Sequence, residues 1–169
     1  MFRFNPSFTL IPLLLLIIAQ SCPAAWRTGD TLPALDSFKL EGKLPDKLKG
    51  QVILLDFWAS WCGPCKKSFP AMQELQKHFA GRGLVIIAVS VDEKRGDMER
   101  FLKGMDVSFT TVRDAEQKLV AAADATTMPT SFLIDRAGKI RFVHSGFLGD
   151  QTVKQYYEQI ELLLKERAQ

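Results

Sequence analysis

Cys62 and Cys65, in the run Trp61-Cys62-Gly63-Pro64-Cys65, are the residues of this chain best placed by type and spacing to do chemistry. Two thiols at that interval close a small disulfide ring, so the pair can pass between dithiol and disulfide by exchange with another thiolate. A mostly apolar stretch precedes the run and a helical pattern follows it. The first thiol should therefore sit at a helix N-terminus, where the helix dipole and free amide groups favour thiolate and lower the pKa from about 8.5 towards 7. Cys62 is the expected nucleophile. Cys65, one turn inward and shielded, is the thiol expected to resolve a mixed disulfide. A zinc site would need two further ligands, and His78, His144 and Cys22 supply none at matching spacing. A purely structural bridge closing so short a loop would restrain the unfolded chain little.

The elements around the pair follow from hydrophobic period. Gln51 to Trp58 reads as a strand buried on both faces of a parallel or mixed sheet. Phe69, Met72, Leu75 and Phe79 form one helical stripe after the cysteines, ended by Gly81 and Gly83. Leu84 to Val91 is a second strand, and Met98, Phe101, Leu102 and Met105 mark a short helix. Phe109 to Val112 suggests another strand and Glu116 to Ala123 another helix. Ser131 to Asp135 with Ile140 to Val143 suggests a hairpin around Arg136-Ala137-Gly138. Asp150 is the expected N-cap of a closing helix whose apolar face is Val153, Tyr156, Ile160 and Leu163 or Leu164. Trp26 to Gly50, punctuated by glycine and proline, reads as a loop or short hairpin before the core. Strands alternating with helices predict an α/β sandwich with helices on both faces of the sheet.

The chain has 169 residues, 47% hydrophobic and 24% charged, which suits one globular domain rather than disorder. Net charge is +3, and its basic residues are interspersed with acidic ones, so no nucleic-acid surface is indicated. Arg3, the apolar run Phe8 to Ala19 and the small residues after it read as an export signal. That run is interrupted by Pro12 and is shorter than the ~20 residues of a membrane span. The odd cysteine, Cys22, lies where the signal ends. Ala19-Gln20-Ser21-Cys22 resembles a bacterial lipoprotein cleavage site, which would make Cys22 the lipid-bearing first residue after a signal of residues 1–21. Alternatively, Cys22 leaves with a signal peptide of residues 1–25. Residues 26–169 then form the working domain.

The stretch Leu54-Leu55-Asp56-Phe57-Trp58-Ala59-Ser60-Trp61-Cys62-Gly63-Pro64-Cys65 resembles the thioredoxin superfamily. Pro70 matches the family's helix-kinking proline, Met128-Pro129-Thr130 its cis-proline loop, and Gly146 the glycine beyond its hairpin. The extra strand and helix between about Asp92 and Val112, with the export signal, are most similar to the TlpA and ResA branch. The resemblance implies a thioredoxin-like three-layer sandwich, a central mixed β-sheet with helices on both faces, an N-terminal extension and a central βα insertion. Asp56 then occupies the place of a buried carboxylate that takes the proton of Cys65. Pro129, if cis, exposes backbone groups to an extended substrate, with Met128 facing the thiols and Thr130 beside it. Trp61, Gly63 and Pro64 complete the expected substrate surface, while Trp58 reads as core and His144 as a surface strand-end residue. Ala88 stands where cytosolic thioredoxins carry a lysine near the aspartate, so proton handling by Asp56 should differ.

By the same resemblance the chain is an extracytoplasmic thiol-disulfide oxidoreductase, reducing protein disulfides in the periplasm, free or membrane-anchored, as a monomer without cofactor or metal. Its expected partners are a disulfide-bearing protein and a membrane relay protein that supplies electrons. Apocytochrome c thiols and the copper-site cysteines of an oxidase are the implied substrates. Three alternatives compete with this reading. A disulfide oxidase or isomerase would have a potential above about −200 mV. A copper metallochaperone of similar fold would use cysteines with three residues between them and a histidine, and a thioredoxin-like peroxidase needs a different local motif.

Overall fold

The computed structural model describes residues 25–166. Cys22 and the body of the expected export signal lie outside the described residues, within which no helix is long and apolar enough to cross a membrane.

Five strands form one mixed sheet in the order β3-β2-β1-β4-β5. Its centre is β1 (Val52–Trp58), and every residue of that strand is buried. A strand buried on both faces must be apolar throughout, and β1 is, except at Asp56. β2 (Leu84–Ser90) pairs parallel to β1, and β3 (Thr110–Arg113) parallel to β2. On the other side, β4 (Thr130–Ile134) pairs antiparallel to β1, and β5 (Ile140–Ser145) antiparallel to β4. The long crossovers that parallel strands require contain α1 (Gly63–Phe79) and α2 (Arg95–Lys103). α3 (Lys118–Ala123) precedes β4, and α4 (Asp150–Lys165) closes the described chain.

The pleat of β1 sends alternate side chains to opposite faces. Trp58 meets Phe69 of α1 and Phe101 of α2, with ring centroids 4.7 Å away in both cases, and Asp56 shares that face with Tyr156 of α4 through Ser131. Phe57 points the other way, with Phe132 of β4, and meets Trp26 of the N-terminal extension. Beside Trp26, the second face is covered by a 3₁₀ turn at Leu35–Phe38 and by α3, which lies against that turn. The expected sandwich is present, with the extension forming much of one outer layer.

Several boundaries differ from the expectations, each for a local reason. Residues 26–50 form neither a free loop nor a hairpin but a strap across the sheet. It bridges antiparallel to Lys139 through Thr31 and to Arg113 through Glu41, at the two sheet edges. Unpaired edge groups favour such cover. α3 starts at Lys118 rather than Glu116. The Asp114 carboxylate accepts the amides of Lys118 at 3.1 Å and Val120 at 2.8 Å, while Gln117 turns left-handed at φ 55°. Asp150 is not the N-cap. Gly149 holds that position with no side-chain cap, and the first turn is steadied instead by Thr152, whose hydroxyl accepts the Leu148 amide at 2.9 Å.

Gly42 shows why the strap needs a residue without a side chain. Its φ is 118°, and a Cβ there would lie 3.1 Å from Val112 Cγ1 and 3.2 Å from the Thr111 carbonyl oxygen. Gly42→Ala should therefore destabilise the fold by about 1–3 kcal/mol and pull the strap from β3. The change should appear as a lower urea midpoint with faster hydrogen exchange at the Glu41 and Arg113 amides. Unaltered exchange at both would show that the strap does not depend on this turn.

Candidate active site

Cys62 and Cys65 are joined by a disulfide at the start of α1. Cys62 is the N-cap residue in extended conformation, and its sulfur accepts the Cys65 amide at 3.1 Å. A sulfur in that position receives one of the otherwise unpaired amides of the first helical turn, which is also the positive end of the dipole. Pro64 is favourable in the first turn because its missing N–H has no partner to lose. Cys62 is 4% exposed and Cys65 fully buried, so only the first sulfur is within reach of another molecule. Pro70 lies inside α1, and the helix continues past it to Phe79.

The turn that delivers Cys62 is held by a residue that the sequence reading passed over. Asp92, just beyond β2 and 2% exposed, accepts the Ser60 amide at 3.1 and 3.0 Å with its two oxygens. The Ser60 hydroxyl donates to Oδ1 at 2.7 Å and the Ser90 hydroxyl to Oδ2 at 2.8 Å. Behind it, Arg113 donates to the carbonyls of Asp92 at 3.2 Å and Glu93 at 2.8 Å, and forks onto the Glu41 carboxylate at 2.9 and 2.8 Å. The strap, β3, the end of β2 and the turn before Cys62 are thereby one bonded unit. Polar residues alternating at the end of an apolar strand, Ser90 and Asp92, were the available signal.

Asp56 is fully buried on β1. Its Oδ1 accepts the Ser131 hydroxyl at 2.5 Å, that hydroxyl lies 2.7 Å from Tyr156 Oη, and its Oδ2 has no partner among the described residues. Burial pushes the carboxyl up to about 7, and the Ser131 hydrogen bond opposes it in part. Directly across β2 stands Ala88, so no cation reaches the carboxylate from that strand. Ser131 and Tyr156 escaped the sequence reading because one looked like an ordinary strand residue and the other like helix core.

The Met128-Pro129 bond is cis, and Pro129 is buried with its carbonyl accepting the Gly146 amide at 2.7 Å. Thr130, buried, donates its hydroxyl to the Thr127 carbonyl at 2.6 Å and pairs with Phe57, the neighbour of Asp56. Met128 is half-buried against the core. Gly63 and Pro64 are exposed at the first turn of α1. Trp58 is core, whereas Trp61 is 72% exposed and forms one wall of a groove of about 440 Å³ with Val91, Asp92, Glu93, Lys94 and Gln117. His144 is half-buried on β5, 2.7 Å from Gln159 through Nε2 and edge-on to Tyr156. Among the described residues no three His, Cys, Asp or Glu side chains converge as metal ligands.

Residues 29–143 match the AhpC/TSA family. The thiol-disulfide oxidoreductase ResA of Bacillus subtilis (strain 168) is 38% identical over 114 residues, which span 68% of this chain and 64% of that protein. ResA of Bacillus anthracis is 38% identical over 141 residues, 82% of this chain and 77% of the relative. Among solved structures, a Chlorobium tepidum protein assigned as a thiol:disulfide interchange protein DsbE superposes with a TM-score of 0.76 at 39% identity. It covers 83% of this chain and 99% of its own. StoA from Bacillus subtilis superposes with a TM-score of 0.59 at 26% identity, over 80% of this chain and 97% of its own.

Removing the Asp92 carboxylate strands the Ser60 amide and two hydroxyls. Asp92→Ala should cost about 2–4 kcal/mol and speed exchange of the Ser60 amide by at least about tenfold, with Asp92→Asn falling between. Native-state hydrogen exchange reads both, and a Ser60 amide as protected as in the parent would refute the role of Asp92.

Proposed function

The chain belongs to the AhpC/TSA family and carries the redox site of a thioredoxin-like thiol-disulfide oxidoreductase, and from that premise we propose that it reduces protein disulfides outside the cytosol. The observation that carries the reading is a disulfide whose outer sulfur caps a helix, led into by a strand that buries one carboxyl group without a counter-charge. Gly63 and Pro64 between the cysteines favour the reducing direction by their resemblance to low-potential members of the superfamily.

In the dithiol form, Cys62 Sγ at the helix N-terminus is the thiolate and attacks one sulfur of the substrate disulfide. A bond forms between Cys62 and that sulfur, and the second substrate sulfur leaves as thiolate and takes a proton from water. Cys65 then gives its proton to Asp56 and attacks Cys62 Sγ, restoring the disulfide seen here and releasing the remaining substrate thiolate. Two electrons pass from the pair to the substrate. A membrane relay protein returns them, since an oxidising periplasm cannot. The exposed Trp61 and the backbone beside Pro129 present the surface for an extended substrate segment. Cysteines of apocytochrome c or of an oxidase copper site are the substrate classes the resemblance favours. Cys22, if lipidated, tethers the domain to the membrane.

Equilibrating the protein with glutathione and dithiothreitol buffers tests the direction of electron flow. A Cys62–Cys65 potential near or below thioredoxin's roughly −270 mV is expected, and a value near −120 to −180 mV would reassign the protein as an oxidase or isomerase. A second measurement concerns Asp56. With its carboxyl raised from 3.8 to about 7, the folded state binds a proton that the unfolded state has lost between those pH values. Asp56 therefore lowers stability progressively as pH rises from about 4 to 7, by up to roughly 4 kcal/mol. Asp56→Asn should be more stable than the parent at pH 8 and nearly equal at pH 3.5, by denaturant titration at both. Equal stability at pH 8 would remove the buried-acid premise.

A further inference from the structure

We propose that Ser131 and Tyr156 are positioning residues for the Asp56 proton, a buried hydroxyl chain that fixes Oδ1 as an acceptor and leaves Oδ2 as the atom that takes up and returns it. The directions of the two hydrogen bonds follow from counting hydrogens. Ser131 has one hydroxyl hydrogen, and at 2.5 Å from a carboxylate oxygen it donates there. The 2.7 Å contact with Tyr156 can then be made only by the phenol hydrogen, so Tyr156 donates to Ser131. Burial and the Asp56 carboxylate both push the Tyr156 phenol above its ordinary range, so it remains a donor across the working pH of the domain.

The chain makes the two carboxyl oxygens inequivalent. Oδ1 faces a hydroxyl whose own oxygen also accepts from a phenol, whereas Oδ2 is buried and has no partner among the described residues. A proton on Oδ2 leaves both hydrogen bonds intact, whereas a proton on Oδ1 turns the Asp56–Ser131 bond round and leaves the Ser131 hydrogen with no acceptor unless Tyr156 turns as well. Tyr156 has no further acceptor among its described hydrogen bonds to support that reversal.

The groups that can act on Asp56 from its surroundings are few. β2 presents Ala88 and β4 presents Ser131. α4 presents Tyr156, with His144 of β5 behind its ring at 4.9 Å. The helix after β1 begins with the cysteine pair, which does not titrate while bonded, and no charged side chain of α1 contributes to the shift of the carboxyl. The hydroxyl chain is thus the strongest polar influence on the carboxyl besides its burial. The purpose of the proton rests on the reductase reading, but its positioning can be measured without that reading.

The test follows the Asp56 carboxyl carbon by NMR in oxidised, aspartate-labelled full-length protein, with Asp56→Asn assigning the signal. Hydrogen bonds to a carboxylate favour its charged form, so losing them raises the midpoint. Ser131→Ala should raise it by about half to one pH unit, a 3- to 10-fold rise in proton affinity, and Tyr156→Phe should raise it by less. Ser131→Thr, which keeps a hydroxyl, should restore it. Wild-type midpoints in both Ser131→Ala and Tyr156→Phe would overturn the proposal, and if Ser131→Ala does not fold, Tyr156→Phe decides alone. The pH profile of mixed-disulfide release by Cys65 should move with the midpoint. A shifted midpoint with an unmoved profile would leave the positioning intact and count against Asp56 as the base for Cys65.

Discussion

Burying Asp56 in a strand whose other residues are all apolar is unfavourable by several kcal/mol if the group is charged, and that single expense organises much of the surrounding structure. The carboxyl cannot be relieved by a cation from β2, where Ala88 stands, and among the described residues it is supported only by a hydroxyl from β4 and, through it, a phenol from α4. Placing those partners requires the sheet order that sets β4 antiparallel against β1, with Ser131 directly opposite Asp56. A slip of one residue would turn Ser131 to the face of Phe57 and Trp26 and leave the carboxyl with nothing. Strand register, helix placement and acid chemistry are therefore one problem with one solution.

A second carboxylate, Asp92, is buried in the opposite manner. Its oxygens are filled by two hydroxyls and the Ser60 amide, so it acts as a fixed point for the turn before Cys62. Through the Asp92 backbone and Arg113 that fixed point is tied to Glu41 of the strap, more than fifty residues upstream of Asp92 and on the far side of β3. The salt bridge between Arg113 and Glu41 is bidentate and largely buried on the arginine side, which sets it apart from exposed pairs such as Lys43–Asp46 and Lys77–Glu74. In the proposed reaction this rigidity helps, because loop motion before Cys62 would misplace the sulfur that attacks the substrate disulfide.

The cysteine pair, its helix and the alternation of strands with helices could be read from the sequence because each is written in local pattern: spacing, period and flanking glycine. Asp56 could be singled out only through the resemblance, since an aspartate near a strand end is ordinarily solvated. Ser131 and Tyr156 could not, because their roles are set by register and by helix placement rather than by neighbours in the chain, and Asp92 left only the alternation of Ser90 and Asp92 at the end of an apolar strand. The strap is a related case. Glycine and proline between residues 26 and 50 signal turns, and turns say nothing about which distant edge a segment will cover. The starts of α3 and α4 depart from their expectations for one reason: an acidic side chain caps whichever amides lie within reach, and the left-handed Gln117 brings those of α3 to Asp114, while Gly149 begins α4 with no side-chain cap.

The two carboxylates together illustrate how one small domain separates stability from chemistry. Asp92 is saturated and its loss would cost structure, whereas Asp56 is underserved, with one oxygen bonded and the other bare. Supplying Oδ2 with a donor would stabilise the charged form and draw the pKa back towards that of an ordinary aspartate, and the proposed transfer of a thiol proton to it at neutral pH would be disfavoured. Supplying neither oxygen would drive it further up and make it reluctant to release the proton. A single hydroxyl on one oxygen lies between these limits. The phenol behind that hydroxyl leaves Ser131 with one hydrogen to give and one place to give it, and that restriction keeps the second oxygen open.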